Sequence, residues 1–159
     1  VVGFPHGASV SRTKADEAAT VVALGAAEVD MVVDIGALGD GDFAAVAADV
    51  AEVRAAVPSV VLKVILESAL WSPSVLRQAT EAAMGAGADF VKTSTGFAPS
   101  GATLDDLRLM RANTSPHIQV KAAGGVRTLD ALLEVMAVGV TRCGATATAE
   151  PASAAPAAS

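Results

Sequence analysis

The chain has 159 residues, 52% of them hydrophobic but only 3% aromatic, and its 17 acidic against 11 basic side chains give a formal net charge of −6. With no basic stripe and almost no rings for base stacking, it is a poor nucleic-acid partner. A single cysteine, Cys143, excludes an internal disulfide framework; no apolar run approaches the roughly 18 residues of a membrane span, no export signal opens the chain, and the expected location is the cytoplasm.

The first predicted element is a strand at Val1 to Phe4, followed by a helix over Thr13 to Leu24 that carries Ala18, Val21, Val22 and Leu24 on one side. A second strand, Val29 to Val33, leads to a helix from Asp42 to Ala56 with Phe43, Val46, Val50 and Val53 on its apolar stripe. The third strand is Val60 to Leu66. Ser72-Pro73 then supplies a capping hydroxyl before a first-turn proline, and that helix runs to Gly85 or Gly87. Phe90 to Lys92 is the fourth strand, Thr103 opens a helix through Arg111, and Ile118 to Ala122 is the fifth strand. Thr128 opens a helix through Val138, and Arg142 to Gly144 is the last strand.

Strands alternating with helices predict an α/β fold with a parallel sheet, buried on both faces and therefore rich in Val, Ile and Leu. The regular repeat reads as a (β/α)8 TIM barrel. Only about six units are present, whereas the full barrel needs eight and about 250 residues. The chain opens in mid-strand without an initiator Met, so the first two units are expected to be missing. Residues 1–147 are expected to form the partial barrel, and Thr148 to Ser159, rich in Ala, Ser and Pro, a disordered tail.

Three of the four lysines, Lys63, Lys92 and Lys121, lie 29 residues apart, each inside an apolar strand. Lysine belongs in water and is costly to bury unpaired. Active sites of such barrels lie at the carboxyl ends of the strands, where this chain gathers His6 and Ser9, Asp30 and Asp34, Lys63 and Glu67, Lys92 to Gly96, Lys121 to Arg127, and Gly144. Lys92 and Lys121, on adjacent strands, would depress one another's proton affinity, and an amine so activated forms Schiff bases with carbonyls. Asp30 is the obvious carboxylate partner. The bland alternatives are snorkelling lysines and a structural salt bridge from Asp30 to Lys121 or Lys63.

The turn Gly124-Gly125, followed by Val126-Arg127-Thr128 and a helix, offers backbone amides that suit a phosphate, and with two units missing it would follow strand seven, with Gly144 after strand eight. A phosphorylated substrate is expected. His6 and His117 read as bland, and Trp71, Cys143 and the methionines as packing. No metal-ligand spacing is present and no cofactor is implied.

The segments Val2-Gly3-Phe4-Pro5-His6-Gly7-Ala8-Ser9, Glu28-Val29-Asp30-Met31-Val32, Leu62-Lys63-Val64-Ile65-Leu66-Glu67, Ala88 to Phe97 with its Val-Lys-Thr-Ser-Thr-Gly core, and Val120 to Thr128 closely resemble the deoxyribose-phosphate aldolase family, collinearly over about Val1 to Ala145. The resemblance implies a metal-independent class I aldolase that reversibly cleaves 2-deoxy-D-ribose 5-phosphate to D-glyceraldehyde 3-phosphate and acetaldehyde. It assigns the Schiff base to Lys92, proton transfer and control of the Lys92 pKa to Lys121, and the proton relay to Asp30. It further implies that Thr95 and Gly96 line the sugar site, that Lys63 supports the polar network, and that Gly124, Gly125, Gly144 and Thr146 bind phosphate. The family's Gly-Ala-Ser-Ser phosphate turn is here Gly144-Ala145-Thr146-Ala147, keeping one hydroxyl. Two rival readings are a non-catalytic fragment that associates through its unpaired sheet edges, as a homo-oligomer or with other chains, and a different Schiff-base enzyme on the same barrel.

Overall fold

A computed structural model of the chain describes residues 1–145; Thr146 and the expected tail at 148–159 lie outside the described residues. Its order is α1 (Ser11–Ala23), β1 (Glu28–Val32), α2 (Ile35–Gly39), α3 (Phe43–Ala56), β2 (Val61–Ile65), a 3-10 turn (Ser68–Leu70), α4 (Pro73–Gly85), β3 (Phe90–Lys92), α5 (Leu104–Ala112), β4 (Gln119–Ala123), α6 (Leu129–Ala137) and β5 (Arg142–Gly144). The five strands pair in sequence order, β1-β2-β3-β4-β5, all parallel. This is the open arc of a (β/α) barrel, with a helix on each crossover.

Helix starts follow the expected hydroxyls at Ser72, Thr103 and Thr128, and Asp42 adds a carboxylate cap. Asp42, Ser72, Thr103 and Thr128 each accept from a backbone N–H three residues on, at the head of α3, α4, α5 and α6. α2 is a single turn after β1, capped by Asp34 through the Ala37 N–H; at five residues it is too short for its periodicity to register.

The expected strand at Val1 to Phe4 does not form. Only Val2 bridges to β1, its N–H donating to the Asp30 carbonyl at 2.8 Å and its carbonyl accepting from Val32 N at 3.1 Å. Gly3 then takes a left-handed φ of 63° and turns the chain out of the ladder.

Strand alternation divides the sheet chemically. Val29, Met31, Leu62, Val64, Val91, Val120 and Ala122 join Ala15, Val46, Val50, Leu76 and Leu107 from the helices in one buried core, each large aliphatic side chain contributing about 1.5–3 kcal/mol. The opposite, concave face carries Glu28, Asp30, Lys63, Phe90, Lys92, Gln119, Lys121 and Arg142. The expectation of strands apolar on both faces is therefore met on the helix side, while the inner face is largely polar. No described helix is long and apolar enough to cross a membrane.

Candidate active site

Register sets the site. Asp30 lies opposite Lys63 in the β1–β2 pair, and Lys92 opposite Lys121 in the β3–β4 pair. All three amines converge on one carboxylate. Lys63 Nζ donates to Asp30 Oδ1 at 2.8 Å, while Lys92 and Lys121 donate to the same Oδ2 at 2.8 and 3.1 Å. Lys63, 2% exposed, also pairs with Glu28 at 2.7 Å, and Glu28 pairs with Arg142 at 2.5 Å. Four cations thus share two carboxylates on the inner face, a local positive surplus inside an acidic chain.

Burial alone would raise the Asp30 pKa, but hydrogen bonds and charge from Lys63, Lys92 and Lys121 outweigh it and hold the carboxyl well below its usual range. Asp30 is an anion at any working pH. Lys121 moves the other way from a normal amine: burial lowers its pKa, the Asp30 bond opposes that, and the neighbouring Lys92 charge lowers it further. Lys121 is thereby suited to carry and release a proton. Glu28 is also held below its ordinary value, by its bonds to Lys63 and Arg142.

Above this cluster, where the strands end, a cavity of about 410 Å³ is lined by Lys92, Ser94, Thr95, Gly96, Gly124, Gly125, Arg127 and Gly144, among others. The sequence-predicted Lys92, Thr95, Gly96, Gly124, Gly125 and Gly144 share this cavity. Asp30, Lys63 and Lys121 lie beneath it on the inner face, joined to it through the Asp30–Lys92 bond; Thr146 is outside the described residues. A larger groove of about 560 Å³ between α5 and α6 contains no comparable cluster.

Gly124 and Gly125 have left-handed φ values of 72° and 82°, which only glycine adopts without strain. Their turn is buttressed from the loop after β3: a side chain at Gly101 would come within 2.5 Å of the Gly124 carbonyl carbon, and one at Gly125 within 2.9 Å of the Ala102 carbonyl oxygen. The two loops are in backbone contact. His6 is exposed and lines a separate 230 Å³ recess with Glu67, Leu70 and Phe97; His117 is exposed.

Sequence reading assigned no part to Glu28, Arg142 or Gly101. The first two were accessible to it, since Glu28 and Asp30 are two residues apart on one strand and must share a face, and Arg142 and Gly144 likewise. Gly101 lies in a loop and gives no such signal. Arg127 was noted only as part of a strand-end segment.

A family model described as DeoC, DeoC/LacD family aldolase, matches residues 1–149. The deoxyribose-phosphate aldolase of Rhodospirillum rubrum is 53% identical over 147 residues, which are 92% of this chain and 62% of that protein. Among solved structures, QR15, an aldolase, superposes with a TM-score of 0.87 at 37% identity, covering 92% of this chain and 66% of that one. A structure titled as the unique tetrameric structure of deoxyribose phosphate aldolase from Aeropyrum pernix gives 0.83 at 32% identity, covering 94% and 63%. The chain thus spans a little under two thirds of the length of each of these proteins.

Proposed function

The chain belongs to the DeoC/LacD family of aldolases, and from that premise we propose that it carries the reversible cleavage of 2-deoxy-D-ribose 5-phosphate to D-glyceraldehyde 3-phosphate and acetaldehyde through a Schiff base on Lys92. The observation that carries this reading is the shared Asp30 Oδ2, which holds Lys92 and Lys121 side by side at the mouth of the barrel.

With Lys121 beside it on the same carboxylate oxygen to exchange protons, Lys92 reacts as the neutral amine and attacks the C1 aldehyde of the open-chain sugar. Loss of water gives an iminium, an electron sink. Removal of the C3 hydroxyl proton then breaks the C2–C3 bond, glyceraldehyde 3-phosphate leaves, and the enamine left on Lys92 is protonated at C2 and hydrolysed to acetaldehyde. Asp30, fixed as an anion, keeps both amines in register and stabilises the positive charge that moves between them. Lys63 anchors Asp30 from below through Oδ1. Thr95 and Gly96 face the sugar, while the amides of Gly124 and Gly125, with Gly144 and Thr146, take the phosphate. The cationic surplus on this face favours such an anion, and binding at the phosphate end orients the reacting carbons.

The same reading places the protein in the cytoplasm, in deoxyribonucleotide breakdown, with residues 1–147 as the barrel domain and self-association through the sheet edges at its first and last strands. The test of the chemistry is borohydride trapping with acetaldehyde, followed by peptide mass mapping of the wild-type chain and of Lys92→Leu. An ethyl adduct confined to Lys92 is expected. Its absence in a folded sample, or its persistence elsewhere in the variant, overturns the assignment.

A further inference from the structure

Glu67 is the extra residue of a β-bulge. Leu66 N donates to the Lys92 carbonyl at 2.9 Å and Ser68 N to the Thr93 carbonyl at 2.8 Å, so the chain after β2 advances two residues while the chain at the end of β3 advances one. Glu67 takes up the mismatch with a φ of 56°, and it is the one non-glycine residue with positive φ among the described residues. A left-handed conformation is unfavourable for a residue with a Cβ. Strain of this kind persists where the surroundings enforce it, and its commonest setting is a functional site.

The bulge turns the Glu67 carboxylate onto the loop after β3. The side chain is 2% exposed; Oε1 accepts the Thr95 N–H at 3.1 Å and Oε2 accepts the Thr95 hydroxyl in a short hydrogen bond. Thr95 Oγ1 in turn accepts the Phe97 N–H at 3.1 Å. The hydroxyl proton is committed to Glu67 and one lone pair to Phe97. One lone pair remains, on a partly exposed residue that lines the 410 Å³ cavity beside Lys92.

We propose that Glu67 is a positioning residue that fixes Thr95 as a pure hydrogen-bond acceptor, and that the site therefore selects a substrate presenting a hydroxyl donor to Thr95. This rests on the sugar-phosphate reading of the cavity. It adds a direction to that contact: the sugar donates and the enzyme accepts. Glu67 touches no ligand itself. Glu67→Gln keeps the shape and the backbone strain but offers an NH2 toward Thr95, which frees the hydroxyl proton and reverses the polarity of the contact.

The experiment titrates 2-deoxyribose 5-phosphate into wild type, Glu67→Gln, Thr95→Val and the double variant by NMR, with borohydride trapping of acetaldehyde run in parallel. Binding weakened about tenfold, the equivalent of one net hydrogen bond, is expected in each single variant. The double variant should be no weaker than Thr95→Val, because both changes act through one contact. Trapping of acetaldehyde, which carries no hydroxyl for Thr95, should fall by less than sugar phosphate binding in Glu67→Gln; a general structural defect would reduce both alike. Unaltered binding in Glu67→Gln, or additive losses in the double variant, overturns the inference and leaves the aldolase reading intact. Wild type that binds the sugar phosphate with the expected dependence on Thr95 and its Glu67 support yet traps nothing overturns the aldolase reading and leaves the inference standing.

Discussion

Arg142 and Glu28, 114 residues apart on the last and first strands of the sheet, meet at 2.5 Å across its concave face. Arg142 also lies over the Phe90 ring at 5.0 Å. The sheet therefore curls far enough for its two outer strands to touch through their side chains, and the lysine cluster sits inside that curl. Both partners are part exposed, and such pairs are weak and screened by salt. Arg142→Ala should lower the urea midpoint slightly, and the gap to wild type should narrow in about 1 M salt, where the screening length is about 3 Å. A gap insensitive to salt would mean that Arg142 acts by packing on Phe90 instead.

Asp30 is the only carboxylate shared by Lys63, Lys92 and Lys121 among the described residues. Its folded pKa is below the unfolded value of 3.8, so the unfolded chain binds the proton first and acid favours unfolding. The stability that Asp30 contributes is complete above about pH 5 and is lost as pH falls through 3.8 toward the lower folded value. Asp30→Asn removes the charge that three ammonium groups share, an uncompensated burial that costs about 3 kcal/mol or more. Thermal melts from pH 7 to pH 3 should show a lower and flatter profile for Asp30→Asn. Equal melting points near neutral pH would mean that the lysines find other counter-charges.

Lys121 gives the opposite sign. Its folded pKa is depressed below 10.5, chiefly by burial, so the unfolded chain binds more protons in the interval between the two values. Stability should rise with pH through that interval and level off above 10.5. Lys121→Met should remove this slope and, if Lys121 takes the Lys92 proton, should also reduce kcat/KM by about a hundredfold or more. A titration of the lysine Nζ signals that finds Lys121 at an ordinary value would remove the basis for both expectations.

Gly101 joins the loop after β3 to the Gly124–Gly125 turn by direct backbone contact. A methyl group there would lie 2.5 Å from Gly124 C and 2.8 Å from Gly125 N, so the turn must move. Gly101→Ala should therefore weaken inorganic phosphate and phosphorylated substrates about tenfold or more, an amount that small displacements of a binding group routinely cost. Unphosphorylated 2-deoxyribose should be affected much less. Equal losses for both sugars would show that the damage spreads to the lysine cluster.

The sequence revealed the repeating strands, the helix starts at Ser72, Thr103 and Thr128, and the pairing of Lys92 with Lys121, because each rests on local periodicity or on one residue at a turn. Val1 to Phe4 misled because an apolar tetrapeptide scores as a strand whether or not a ladder is there to receive it, and Gly3 turns it away after one bridge. The convergence of three lysines on Asp30 was half legible. Spacing predicted a carboxylate partner, but only the register brings Lys63, Lys92 and Lys121 to the two oxygens of one side chain. Glu67 is legible as a strand-end carboxylate, but the bulge that aims it at Thr95, like the loop contact at Gly101, leaves no periodic trace.

Lys14 was invisible for a related reason. In Ser-Arg-Thr-Lys-Ala-Asp-Glu it reads as one more solvated charge at a helix start, yet it is fully buried, bonded to Asp49 Oδ2 at 2.7 Å and to the Val32 carbonyl at 3.1 Å. Its stem packs on Gly3, where an added Cβ would meet it at 3.1 to 3.3 Å. The pair ties α1 to α3 behind the end of β1, two residues beyond Asp30. Among the described residues Asp49 Oδ1 has no partner, and Lys14 is the cation that balances this carboxylate. Lys14→Met should cost about 3–5 kcal/mol, the usual penalty for leaving a buried ion unpaired and a large share of the about 5–15 kcal/mol that holds a domain together. Replacing both ions, in Lys14→Met/Asp49→Leu, should recover most of that loss in urea unfolding, because two apolar side chains of similar volume need no counter-charge. If the double variant is no more stable than Lys14→Met, the bond from Lys14 to the Val32 carbonyl, and not the ion pair, is what the fold requires.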